Sequence, residues 1–217
     1  MLVRIPKRYL LLAIPLLAVA ALTLPIRKYA VPHGVSVGVS RILRRPPAAP
    51  LKVAGPAVVV DKSEHKLYLY DGGRLVRSYQ VAFGFAEESK DKQVEGDGAT
   101  PAGRFYITEK SVLTKATFLG TRWMRLSYPN LEDAARGLSA GLLSRDEHDR
   151  IRRAIERGET PPQRTKLGGG IGIHGGGFSV LGRPVLDWTA GCVALTDGEV
   201  EELYASVKVG TPVVIRY

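Results

Sequence analysis

Between Pro56 and Phe83 the chain alternates. "AVVVD" is a short buried run, "HKLYLY" switches between apolar and polar with a period of two, and "LVRSYQVAF" does so again. Asp71–Gly72–Gly73 separates the last two as a hairpin turn. "EGDGATPAGRFYIT" predicts a turn-rich loop followed by a strand ending near Thr108. From Asn130 to Gly158 the pattern changes to a helical one. "SRDEHDRIRRAIERG" opens with a capping box of Ser144 and Glu147 and sets Ile151 and Ile155 on one face, as a charged, partly exposed helical insertion would. "KLGGGIGIHGGG" returns to extended structure. A second capping box, Thr196 with Glu199, starts a helix with Val200, Leu203, Tyr204 and Val207 as its apolar stripe and Gly210 as its stop. "TPVVIRY" closes the chain as a strand. Local strands joined by tight turns predict an antiparallel, mainly β domain over 56–217, with a helical insertion at about 130–158 and a C-terminal helix.

The N-terminal part is different. Tyr9 to Ile26, "YLLLAIPLLAVAALTLPI", is an 18-residue uncharged stretch behind Arg4, Lys7 and Arg8. It reads as a single membrane span or as the apolar region of a secretory signal. The "AVA" at Ala18–Ala20 lies inside the apolar run, an awkward place for cleavage, which favours an uncleaved anchor over 1–28. Residues 29–55, with "RRPPAAP", form a Pro/Arg-rich spacer. The expected address is the cell envelope: a periplasmic or extracytoplasmic domain tethered to the inner membrane.

Charge supports that division. The net charge of +10 suggests a nucleic-acid binder, but nine of the 31 Lys and Arg residues fall within 1–55, which has no Asp or Glu. The remainder carries 22 basic and 21 acidic residues, so a nucleic-acid face on the main domain has little support. The single cysteine, Cys192, has no internal disulfide partner, which fits an oxidising compartment.

Three motifs fail on context. "GLSAG" at Gly137–Gly141 and "HGGGF" at His174–Phe178 resemble a hydrolase elbow and oxyanion loop, but stand in the wrong order, and the first follows a helical segment. "GIGIHG" lacks a following helix to hold a pyrophosphate. Four scattered histidines and one cysteine offer no metal-ligand spacing, so neither a metal nor an organic cofactor is expected. His33 sits in the spacer, His148 in the charged insertion, and His65 at a strand start reads as structural.

What survives is a pair. His174 ends an extended segment and Cys192 follows "TAG" 18 residues later. A thiol nucleophile needs a base, and the base needs an acceptor on its other nitrogen. Gly191 would let backbone N–H groups turn inward, and Gly175, Gly176 and Gly177 would let a substrate approach closely. Trp188 and Tyr128 are candidates to line the cleft or to pack in the core.

"IHGGG", a spacer from Gly175 to Trp188 and "TAGCVAL" resemble the L,D-transpeptidase catalytic domain family (YkuD-type). "VVVDKSEHKLYLYDGGRLV" is similar to its first hairpin, and "GDGATPAGRFYI" to its Gly-Asp-Gly-x-Thr-Pro stretch. Thr189, Gly191, Cys192 and His174 match the signature; Ala190 replaces its second histidine and Ala194 its usual Arg or Asn. The T-x-G-C-[IV]-A form is similar to a murein transpeptidase subgroup that includes an enzyme hydrolysing a lipoprotein–peptidoglycan link. The resemblance implies a β-sandwich-like fold and a Cys192 acyl-enzyme acting on peptidoglycan stem peptides. It further implies His174 as base, the Gly175 carbonyl as its orienter, and N–H groups of Gly191 and Cys192 around the oxyanion. Transfer to an amine and hydrolysis as an amidase or endopeptidase, with a wall-linked protein as a further partner, both remain open. Ala190 and Ala194 also leave room for an inactive wall-binding module.

Overall fold

A computed structural model describes residues 54–114, 118–177, 179–180, 183–184 and 186–217. The expected membrane segment, the spacer up to residue 53 and His33 lie outside them. Among the described residues no helix is long and apolar enough to cross a membrane.

The alternating stretches form β1 (Pro56–Asp61), β2 (Lys66–Asp71) and β3 (Arg74–Gln80). They are followed by β4 (Gly103–Val112) and β5 (Arg122–Leu126), then helices α1 (Leu131–Ser139) and α2 (Arg145–Glu156). The chain continues through β6 (Gly172–His174), β7 (Ser179–Val180), β8 (Arg183–Pro184) and β9 (Val193–Ala194). It ends with α3 (Asp197–Ser206) and β10 (Pro212–Arg216).

Among the described residues eight strands form one sheet in the order β3-β2-β1-β10-β4-β5-β6-β9, and β7 and β8 pair separately as a two-stranded antiparallel sheet. The expected mainly β, sandwich-like fold takes the form of one curled sheet. Val81–Phe83 leave β3 and reach the far end, where Ala82 and Ala194 exchange two backbone hydrogen bonds of 3.0 and 2.9 Å. Such closure removes exposed strand edges. Nor is the sheet purely antiparallel: β1 pairs parallel with β10, and β6 with β9.

Alternation places Val58, Val60, Leu67, Leu69, Met124, Leu126, Ile173 and Val193 in one core, which α3 covers with Val200 and Leu203. The opposite faces of β1 and β2 are buried too, by Ala57, Val59, Tyr68 and Tyr70. α3 stops at Ser206, four residues before Gly210, and Val207 packs as its extended C-cap.

The insertion is two helices. Both start with reciprocal capping boxes, Asn130/Asp133 and Ser144/Glu147, each contributing about 1 kcal/mol. Ile151 is buried between them with Ala134, Leu143 and Leu167, while Ile155 packs at the margin. Gly137 is inside α1, so "GLSAG" has no strand–turn–helix geometry.

Candidate active site

Pairing of four adjacent strands lines up two rows of side chains on the sheet's outer face. The first row runs Glu109 (β4), Arg125 (β5) and Gly172 (β6); continuing the β6–β9 register by one residue puts Cys192 at its end. The second runs Ser111, Trp123, His174 and Ala194. His174 and Cys192 thus sit on neighbouring strands, on one face, two residues out of step. Strand spacing and rise put their α-carbons about 8 Å apart, within reach of a side-chain pair. A cavity of 660 Å³ receives both, lined also by Glu109, Arg125, Trp123, Trp188, Thr189, Ala190, Gly170, Phe118 and Leu119.

His174 is held from several sides. Its Nδ1 lies 2.6 Å from the Gly175 carbonyl. A carbonyl only accepts, so Nδ1 carries the proton, and Nε2 of the neutral ring keeps its lone pair. Trp123 stacks on the imidazole with centroids 6.1 Å apart, and Trp188 meets it edge-on at 5.6 Å. Burial lowers the His174 pKa against the opposing effect of the Gly175 bond. The Trp188 Nε1–H is buried, with no hydrogen-bond partner among the described residues.

Burial pushes the Cys192 thiol up to about 11, opposed by the Gly172 N–H and by the charges of Lys92 and Arg125. The thiol lies 3.4 Å from the Gly170 carbonyl. Both members of the pair are therefore neutral at pH 7: a protonated thiol and an unprotonated imidazole lining one cavity.

The loop before Cys192 is pinned by side chains. Thr189 Oγ1 accepts from Gly191 N (3.1 Å) and donates to the Cys192 carbonyl (2.8 Å). The Gly191 N–H expected to face an oxyanion is therefore taken by Thr189. Gly191 has φ +131°, and a Cβ there would stand 2.7 Å from the Ala99 carbonyl. That carbonyl belongs to the "GDGAT" loop, which Asp97 folds by accepting from Lys92 Nζ and from the N–H groups of Gln93, Val94 and Ala99. At the loop's other end Asp187 accepts from Phe83 N (2.7 Å) and pairs with His65 Nε2 (3.0 Å). The His65 hydrogen bond with Asp187 raises the imidazole's pKa. His148 pairs with Asp149 on α2.

Two expectations of cleft residues differ from the geometry. Tyr128 is fully buried in the core, donating to the Leu167 carbonyl at 2.9 Å, and lines no cleft. Gly176 packs under the Phe118 carbonyl and donates to Asp197 Oδ1 at 3.0 Å, so its missing side chain accommodates the fold. The residues that sequence reasoning missed are Trp123, Arg125, Glu109 and Gln163. Their one local signal is the "WMR" alternation, which turns Trp123 and Arg125 to the same face. Gln163, following the insertion, accepts from Arg125 Nη1 (3.2 Å) and Gly170 N (2.8 Å), linking the helical pair to the thiol's contact. Among the described residues no three His, Cys, Asp or Glu side chains converge as metal ligands.

The family model described as the L,D-transpeptidase catalytic domain (YkuD) matches residues 55–215. Among solved structures, a variant of the helical cell shape determining protein Pgp2 from Campylobacter jejuni is 22% identical with a TM-score of 0.52. That match covers 82% of this chain and 52% of Pgp2, and shows a shared fold. Bd1075 from Bdellovibrio bacteriovorus is 22% identical (TM-score 0.47, covering 75% of this chain and 48% of that one). An L,D-transpeptidase from Mycobacterium smegmatis is 17% identical (TM-score 0.44, covering 76% and 59%). The chain spans about half the length of the first two. No curated protein sequence gives a significant match.

Proposed function

The chain belongs to the L,D-transpeptidase catalytic domain (YkuD) family, and from that premise we propose that it acylates Cys192 with a peptidoglycan stem peptide and passes the acyl group to an amine. The observation that carries this reading is the shared cavity of Cys192 and His174, with His174 Nδ1 committed to the Gly175 carbonyl. That tautomer leaves Nε2 as the base.

Because the resting pair is neutral, proton transfer accompanies attack. Cys192 Sγ bonds to the carbonyl carbon of the stem's third residue while His174 Nε2 takes the thiol proton. The Cys192 N–H is the proposed oxyanion donor, an interaction worth about 3 kcal/mol. The C–N bond then breaks, the imidazolium protonates the departing amine, and a thioester remains. Trp123 offers its ring face to the transient imidazolium, a contact worth roughly 1 kcal/mol. An acceptor amine attacks the thioester, His174 takes its proton, and the thiol is restored as the new amide forms. Water in place of the amine would give hydrolysis.

The substrate places the domain outside the cytoplasm, in the cell envelope. Residues 1–28 are the proposed anchor or signal and 29–55 the spacer; removing Met1–Pro25 should release the protein from the membrane fraction. Incubation with a tetrapeptide stem and an amine should yield a cross-linked product lost in Cys192→Ala. Trimmed peptide alone would assign hydrolysis, and an unchanged peptide would leave only wall binding.

A further inference from the structure

We propose that Arg125 determines the specificity of this cleft by docking a free carboxylate of the acyl-donor peptide in the same row as Cys192. The proposal rests on the acyl-transfer reading and names the substrate feature that it requires.

The row geometry carries it. Arg125 and Cys192 flank Gly172 on successive strands, so their α-carbons are two strand spacings apart, about 10 Å. The Trp123 ring covers Gly172 between them, and Arg125 and Cys192 both line the cavity beside it. A Cβ there would lie 2.4 Å from the Trp123 ring and 2.7 Å from the Met124 carbonyl. The other positions around the thiol, Ala190 and Ala194, carry no charge. Among the described residues lining the cavity, Arg125 is the single cation.

Its guanidinium is held ready. Nε donates to Glu109 Oε2 at 2.9 Å, Nη1 to Gln163 Oε1 at 3.2 Å, and the group lies 5.5 Å from the Trp123 ring centroid. These bonds use two of five N–H groups and fix the plane. The side chain remains 24% exposed, so the remaining donors can meet a ligand. Arginine in a planar, supported setting is suited to carboxylate recognition. Glu109 competes for the same cation, which moderates affinity for anions.

Two carboxylates of a stem peptide are distinguished: the C-terminus of the residue removed and, where the donor residue is a diamino diacid, that residue's side chain. Steady-state turnover of the acid peptide is compared with the peptide amidated at its C-terminus and with one amidated at its side chain. The wild type should lose about 10- to 100-fold in kcat/KM on one amide, mainly through KM, and the affected amide identifies the source. In Arg125→Gln the acid-to-amide ratio should fall toward one, and Arg125→Lys should restore part of it. Glu109→Gln should lower KM for the acid peptide. Thermal melts and iodoacetamide labelling of Cys192 verify that each variant is folded. Equal wild-type turnover of all three peptides, or an unchanged ratio in Arg125→Gln, would overturn the assignment while sparing the acyl-transfer reading. No turnover of any peptide by the wild type would overturn both.

Discussion

Replacing Thr189 by valine keeps the shape of a buried side chain and removes one oxygen with two hydrogen bonds. Thr189 is 4% exposed, and Oγ1 serves both the Gly191 N–H and the Cys192 carbonyl. A methyl in its place strands a donor and an acceptor, each costing roughly 1–3 kcal/mol when buried. The adjoining cavity admits water, so the lower half of that range applies, about 2–4 kcal/mol in total. For a domain of this size the melting temperature should fall by roughly 5–10 °C. Thr189→Ser keeps both bonds and loses one methyl, about 1 kcal/mol. Differential scanning calorimetry of the three proteins reads the effect. A valine variant melting within 1 °C of wild type, or a serine variant as unstable as the valine one, would refute the claim that this hydroxyl holds the cysteine loop.

The thiol, pushed up to about 11, should carry only about one thiolate in 10,000 at pH 7. Iodoacetamide alkylation of Cys192 should therefore keep accelerating to pH 10, and a plateau with its midpoint below pH 8.5 would contradict a neutral pair. Gly172→Ala forces a Cβ against Trp123 and the fixed Met124 carbonyl, an overpacking of about 1–3 kcal/mol. Its melting point should drop and its tryptophan emission shift, whereas an unchanged spectrum would argue against the close approach. Asp97 titrates at about 2 against 3.8 in the unfolded chain, held down by its backbone and Lys92 hydrogen bonds despite the opposing burial. Its contribution is complete above pH 4 and is lost as pH falls toward 2. Asp97→Asn should flatten the acid limb of stability between those values; an identical limb would remove Asp97 from the loop's support.

The residues that could be read in advance are those whose signals are local. Alternation and the Asp71–Gly72–Gly73 turn gave the β2–β3 hairpin, and Ser144/Glu147 and Thr196/Glu199 marked two helix starts. The His174 and Cys192 motifs indicated a pair, and the structure opens both into one cavity. Long-range pairing left no such trace. The parallel union of Val58 with Val213, across more than 150 positions, turns a run of hairpins into a closed mixed sheet. For the same reason Arg125 and Glu109 were invisible: their place beside Cys192 follows from strand order and register. Tyr128 illustrates the converse, since an aromatic ring with a polar tip suits a cleft or a core equally, and its bond to the Leu167 carbonyl decides for the core.

The central claim is that Cys192 forms an acyl-enzyme with a stem peptide. Intact-mass spectrometry after brief exposure of the protein to a tetrapeptide stem tests it most directly. The wild type should gain the mass of the acyl fragment, mapping to Cys192 and absent from Cys192→Ser. No adduct on the wild type, or the same adduct on the serine variant, would contradict the account.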